Sequence, residues 1–546
     1  MPYSRAVLLE PQCVGDLELD RTMEAFIDSR SGRAALREVW CRLCTDPEII
    51  TYRQDILQDL WCQPDFAAGL EALLPDLGAL AMPSGPGLTE RRRVPLHEVT
   101  WRLGELESLV RCVDGLAELF SRLGEQLQAA GWCILRERIG QLTAAPVYQH
   151  LSRALPEMLR TIRAKASVTI GVNLDSQLRP EAATLLAIHE QKFTASTFLG
   201  RLFGRQEKDF QGLGPLHTVP PLRPGSGLPA GQAHDVSPLM VPLFHDLAKV
   251  LDTVCRPIAQ ALGHYETLPS RFLAALHTDI LFYLAAVRLM RRVRQQGLPL
   301  CRPVIVPTRE RICELRGAYN LNLALQQMER VEGPLSIVTN DVHLGEEGRI
   351  AILTGPNRGG KTTYLQMIGL CQVLAQLGLW VPATQARLSP VDNIYTHYPV
   401  AEQGARGTGR FGDEAQRLSH IFAQSTRSSL ILLNESLAST HAGESLYIAQ
   451  DIVRMLRRLG SRVLFATHLH ELAADVAALN ASEPGESRII SLVASGDDVQ
   501  DGSSARSYKI IPGPPLGRSY AREIAAQYGI SYEQLQRLLQ QRGAID

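Results

Sequence analysis

The sequence predicts a mixed fold: an all-α N-terminal region, reading as a helical core and lever, followed by an α/β domain. Three observations carry this. Apolar residues recur at helical spacing through roughly the first 300 positions. After Arg302 the texture changes to short β-branched runs separated by helical stretches. A glycine-rich segment, "TGPNRGGKTTYLQ", stands between one such apolar run and a long helical one.

The elements follow in chain order. Cys41 and Cys44 in "REVWCRLCTDPEII" fall on a predicted amphipathic helix, with no second pair at zinc spacing, so they read as packing residues. "AMPSGPGL" at 81–88 reads as a linker. "VTWRLGELESLVRCVDGLAELFSRLGEQLQ" follows, with Val99, Leu103, Leu106, Val110, Val113, Ala117, Phe120 and Leu127 forming one apolar seam. "PPLRPGSGLPAGQ" at 220–232 reads as an exposed loop, and a second long helix runs from Ser270 until Gly297 and Pro299 stop it. The strands expected beyond are "RPVIV", "GRIAIL", "SSLILLNE", "SRVLFATH" and "RIISLVA", in a mostly parallel sheet. The expected division is a helical subdomain at 1–82, a helical core and lever arm at 89–315, and the α/β domain at 316–546.

Length and composition bound the function. A chain of 546 residues suits two or three domains. A net charge of −1 excludes a general polycation, so any nucleic-acid surface is a local patch. No charged, apolar leader opens the chain, and "ILFYLAAV" at 280–287, its longest apolar run, is too short to span a bilayer, so no membrane partner is expected. Ten scattered cysteines suit a reducing compartment, and the expected location is cytoplasmic.

The glycine-rich segment fits G-x-x-x-x-G-K-[ST], with Gly355, Gly360, Lys361 and Thr362 in register between strand and helix. Glycines let backbone N–H groups approach an anion, and the helix N-terminus adds partial positive charge. Lys361 is expected to reach the β- and γ-phosphates and the Thr362 hydroxyl to ligate Mg²⁺. Some seventy residues on, "SLILLNES" ends four apolar residues with Asn434-Glu435. Glu435 can polarise an attacking water. Asn434 offers a neutral oxygen where a carboxylate is expected, so it should hold hydrated Mg²⁺ less well than aspartate. "FATHLHEL" ends a strand at Thr467-His468, where His468 would sense a γ-phosphate.

With "GRFGDE" between them, these segments in this order resemble the ATPase domain of the MutS family of DNA mismatch-repair proteins, closely over 316–546. "TDPEIITYRQDIL" and "VTIGVNLDSQLRPEAATLL" are similar, more weakly, to that family's helical core. The resemblance implies a P-loop (ABC-like) ATPase domain using ATP and Mg²⁺. Gly355, Pro356, Asn357, Arg358, Gly359, Gly360, Lys361, Thr362 and Thr363 would surround the phosphates, and Thr362 and Asn434 would hold the metal, partly through water. Val338 and Asn340 would border the adenine; Phe411 and Glu414 match an F-x-x-E segment. Thr440 and His441 would cross a dimer interface to the partner's nucleotide, and "GPPLGRSYAREIAAQYGISYEQLQRLL" would be a helical dimerisation element.

Departures from the family qualify its function. The usual Asp-Glu is Asn434-Glu435, "SLAST" replaces a glycine-rich stretch, and the N-terminal residues read as helical core, so the mismatch-reading and connector domains are not expected in this sequence. The leading expectation is a homodimeric ATPase, slow in hydrolysis, whose arms clamp mismatched, branched or otherwise non-standard double-stranded DNA, alongside other repair or recombination proteins. The alternative is an ATP-gated protein scaffold with weak turnover. A small-molecule kinase lacks an evident acceptor site. "TERRRV" (Arg91, Arg92, Arg93) and "RLMRRVRQQ" (Arg288, Arg291, Arg292, Arg294) read as solvated before they read as DNA contacts.

Overall fold

Runs of consecutive apolar residues make strands buried on both faces. In a computed structural model of the chain, which describes residues 6–27, 30–81, 95–163, 167–174, 176–177, 180–189, 265, 270–330, 335–399, 409–437, 441–482, 484–495, 507–515 and 529–542, they build the largest sheet. Its order is Ile394–His397, Leu430–Asn434, Arg462–Ala466, Ile350–Thr354, Ile489–Ala494 and Ile510–Pro512. The first five strands are parallel and the last is antiparallel to its neighbour. Every residue of Ile350–Thr354, Leu430–Asn434 and Arg462–Ala466 is buried. The predicted strands are all present. Val304–Ile305 joins a smaller sheet with Gln385–Leu388, Cys313–Ala318 and Asn340–Leu344. The expected boundary at 316 lies within Cys313–Ala318.

The chain divides into two compact units, one of Met1–Cys62 with Phe282–Asp546, the other Gln63–Leu281. In the first, the helix Lys361–Gln376 is buried nearly all round. The N-terminal segment covers part of it: Gln366 Nε2 donates to Asp16 O (3.0 Å) and Gln376 Nε2 to Cys44 O (2.8 Å). Gly369 is where Leu17 presses in; a Cβ there would stand 2.5 Å from its Cδ2.

In the second unit, Leu103, Leu106, Val113 and Phe120 of the predicted seam are buried on the helix Pro95–Leu123. Leu109, Cys112, Leu116 and Leu119 are buried too, so the stripe is wider than the seam predicted, as packing against more than one helix requires. The helix stops at Leu123, not Gln128, because Gly124 opens a short 3₁₀ turn there.

Three expectations for the helical region need correcting. It is not all-α: Ser167–Leu174 and Pro180–His189 form an antiparallel hairpin, and Ala6–Leu8 pairs with Arg42–Cys44. "SVTIGVNL" carries three β-branched residues at period two and a glycine, which favours a pleat over a helix. The helix bearing Cys41 and Cys44 ends at Trp40, and Cys44 lies in a strand; the described cysteines are all free thiols. The helix Ser270–Gln295 runs as predicted, with Gly297 at φ +74°, but its apolar stretch is longer than the run at 280–287. By length and composition alone Arg271–Gln295 suffices to cross a membrane, a test that core helices also pass. Its residues 282–287 are all buried, Phe282 against Phe26 at 5.4 Å between ring centroids. Of its arginines, Arg288, Arg292 and Arg294 are exposed and Arg291 is half-buried. The loop at 220–232, Arg91, Arg92 and Arg93, and all but Ala81 of 81–88 lie outside the described residues.

Candidate functional site

Parallel strands present their C-terminal ends to one edge of a sheet, and helices that follow them start there with free N–H groups. The strand Ile350–Thr354 leads into the loop 355–360, and the helix Lys361–Gln376 begins immediately after it. Gly355 (φ +145°) and Gly360 (φ +87°) take backbone conformations that suit glycine, and a Cβ on Gly355 would stand 2.6 Å from that of Ala494. Asn357 and Arg358, the latter at φ +62°, are exposed at the tip, while Gly359 is buried and its N–H donates to Pro356 O (3.1 Å).

Lys361 is only 4% exposed, and its Nζ donates to Gly355 O (3.0 Å) and Pro356 O (3.1 Å). Burial pushes its pKa down, against the opposing charge of Glu435. Thr362 Oγ1 donates to Asn434 Oδ1 at 3.3 Å, joining the start of the helix to the end of the acid strand. The Thr363 carbonyl accepts from Asn320 Nδ2 (3.2 Å).

Glu435 follows directly, half-buried, with its N–H donating to Ala466 O at 2.8 Å. It sits at φ +50° and Leu437 at φ +68°. Left-handed backbone at a residue other than glycine costs about 1–2 kcal/mol, so neighbouring contacts must hold it. His468 Nε2 donates to Glu435 Oε1 at 3.0 Å. That bond lowers the Glu435 pKa, burial opposes it, and the charges of His468 and Lys361 add to the lowering. Thr467 is fixed by its own N–H to Leu353 O (2.9 Å). The loop, Lys361, Thr362, Asn434, Glu435 and His468 therefore converge as one constellation.

The remaining predicted residues are placed differently. Asn340 is fastened to the strand beyond the loop: its Nδ2 donates to Tyr508 O (3.1 Å) and its Oδ1 accepts from Ile510 N (2.8 Å). Val338 is exposed just before it. Phe411 packs on the buried core cluster of the large sheet, and Glu414 is buried one helical turn on. His441 is exposed at the start of the helix Ala442–Leu459, and its carbonyl accepts from Ser445 N (2.9 Å). Thr440 lies outside the described residues, as does much of the C-terminal segment before Gly529.

Sequence reasoning missed Tyr508. A Cβ on Gly360 would stand 3.5 Å from its ring, so this half-exposed tyrosine flanks the glycine-rich loop from 148 positions away. Only an aromatic before a short strand marked it. His397 and Ser436 were missed too, although "IYTH" ends its strand in the same Thr-His pair that follows the strand Arg462–Ala466.

Residues 351–529 match the family described as MutS domain V, and residues 45–296 match the MutS2 N-terminal domain. The DNA mismatch repair protein MutS of Oleidesulfovibrio alaskensis is 32% identical over 229 residues, covering 40% of this chain and 24% of that protein. MutS of Prochlorococcus marinus is 43% identical over 138 residues (25% and 15%), and MutS of Rickettsia typhi 35% over 206 (38% and 22%). The chain thus spans at most about a quarter of the length of these relatives.

Proposed function

Because the chain belongs to the MutS family, we propose that it is a dimeric ATPase that binds mismatched, branched or otherwise non-standard duplex DNA and couples nucleotide state to closure of its helical arms. The observation that carries this is the convergence of Lys361, the Thr362–Asn434 pair and the Glu435–His468 pair at the strand ends beside a glycine loop.

The residues fit ATP and magnesium. Positive-φ glycines open the loop backbone, and the Lys361 ammonium rests on two neutral carbonyls, weaker acceptors than a phosphate oxygen. Thr362 Oγ1 and Asn434 Oδ1 are the hard oxygen donors that magnesium takes, without a carboxylate in the pair. Bound Mg·ATP would supply the transferable phosphoryl group and the charge that neutralises it. Lys361 binds and orients the phosphates. Glu435, kept ionised by the His468 hydrogen bond, orients a water and accepts its proton. With the amide of Asn434 in place of a carboxylate, turnover is slow and the ATP-bound state long-lived. That same amide favours a second reading, an ATP-gated protein scaffold without DNA recognition.

The homodimer would form through the helix Tyr532–Gln541. It has no buried residue, and Tyr532, Leu535, Leu538 and Leu539 are exposed along it. Thr440 and His441 would face the partner's nucleotide. The nine free thiols among the described residues suit a cytoplasmic location. Titrating plain, mismatched and branched duplexes at several salt concentrations, with and without ATP, tests the reading. Saturable, ATP-sensitive binding that weakens linearly in log salt is expected. Binding to no DNA form leaves the scaffold.

A further inference from the structure

In the large sheet the acid strand Leu430–Asn434 lies between a strand that ends in Thr396-His397 and a strand that leads into Thr467-His468. His468 reaches the Glu435 carboxylate from one side. From the other, His397 Nδ1 lies 2.7 Å from Ser436 Oγ, and that hydroxyl lies 3.4 Å from the carbonyl of His397 itself. Both side chains are deeply buried, His397 at 1% and Ser436 at 4% exposure. We propose that His397 is a positioning residue for Glu435: through Ser436 its imidazole holds the left-handed turn that presents the carboxylate. The inference rests on the ATPase reading above.

The geometry explains why such a contact is needed. Glu435 and Leu437 are both left-handed, and Ser436 is the residue between them. One end of the turn is held by Glu435 N–H on Ala466 O (2.8 Å), the other by Ser445 Oγ on Leu437 O (2.8 Å). The middle is held by His397. If the turn relaxed toward ordinary backbone, the Glu435 side chain would swing off its line with Lys361 and His468. A small angular error at a water-orienting group slows hydrolysis without weakening phosphate binding. Burial and the Arg417 guanidinium push the His397 pKa down to about 4, against the opposing pull of the backbone at Glu414 and at His397. The ring therefore stays a neutral hydrogen-bonding strut at physiological pH.

The test uses the full chain with His397→Phe, Ser436→Ala and His397→Asn, measuring Mg·ATP affinity by equilibrium binding, kcat, and the thermal unfolding midpoint. Removing either partner of this buried hydrogen bond should lower kcat about tenfold and leave ATP affinity within about twofold. His397→Asn, whose amide stands near where Nδ1 does, should recover most of kcat. The double variant His397→Phe/Ser436→Ala should be no slower than either single one. Variants that turn over like wild type would overturn the inference, as would losses of kcat matched by equal losses of ATP affinity with no rescue by asparagine. Both outcomes leave the ATPase reading intact if wild type binds and hydrolyses ATP. A wild-type chain that does neither removes the ATPase reading and this inference together.

Discussion

Replacing Lys361 by methionine should move stability and nucleotide binding in opposite directions. The side chain is 4% exposed, and its ammonium has two carbonyl acceptors, Gly355 O and Pro356 O, with no carboxylate bonded to it. Charge-assisted hydrogen bonds contribute roughly 1.5–3 kcal/mol each, while desolvating an ammonium costs several kcal/mol, so the net penalty is on the order of 1 kcal/mol. Its depressed pKa agrees in sign. Between the folded pKa and the ordinary value of 10.5 the unfolded chain binds more protons, so stability rises with pH across that window. Below that window the penalty is fully present. Methionine keeps the volume and removes the charge. The nucleotide-free variant should therefore unfold about 1 kcal/mol higher at pH 7, with a midpoint about one or two degrees up, and should lose the alkaline rise. ATP affinity should fall at least about a hundredfold as the phosphate-facing cation disappears. Denaturant melts across pH 6–10 and an ATP titration read both. Unchanged ATP affinity would refute the phosphate assignment. A variant less stable by 1 kcal/mol or more would show that the two hydrogen bonds outweigh desolvation.

Glu435→Gln should bind ATP normally and hydrolyse none detectably, since the amide cannot take a proton from water. Because the Glu435 pKa lies below its ordinary 4.5, wild-type activity should show no acid limb from this group between pH 4.5 and 7; a Glu435-dependent limb in that range would contradict the His468 bond. Asn434→Asp should lower the Mg²⁺ needed for half-maximal activity by about tenfold to a hundredfold, through a carboxylate beside a divalent ion. Equal metal dependence in a Mg²⁺ titration would make the substitution neutral and end the slow-engine account. Leu535→Asp with Leu538→Asp should yield a monomer by light scattering at micromolar concentration; an undiminished dimer would place the contact elsewhere.

Local pattern was enough for the engine's skeleton. Strand, glycine loop and helix at 350–376, the acid strand ending in Asn434-Glu435, and the strand ending near His468 were all legible, because each is a contiguous segment whose period and end residues express its geometry. The helical seam at Leu103–Phe120 was legible for the same reason. The hairpin at 167–189 was not, since a β-branched stretch among helices needs its partner strand to declare itself. Tertiary structure alone decided which distant groups satisfy the buried polar residues and flank the site. Gln376 is satisfied by Cys44 O across 332 positions, and Arg462 is buried because Ile312, Ser389, Pro390 and Ser428 each offer a carbonyl. Tyr508 beside Gly360, and His397 behind Ser436, are likewise neighbours only once the sheet has formed. A buried polar atom must find a partner, but nothing in its own neighbourhood of sequence states where that partner lies.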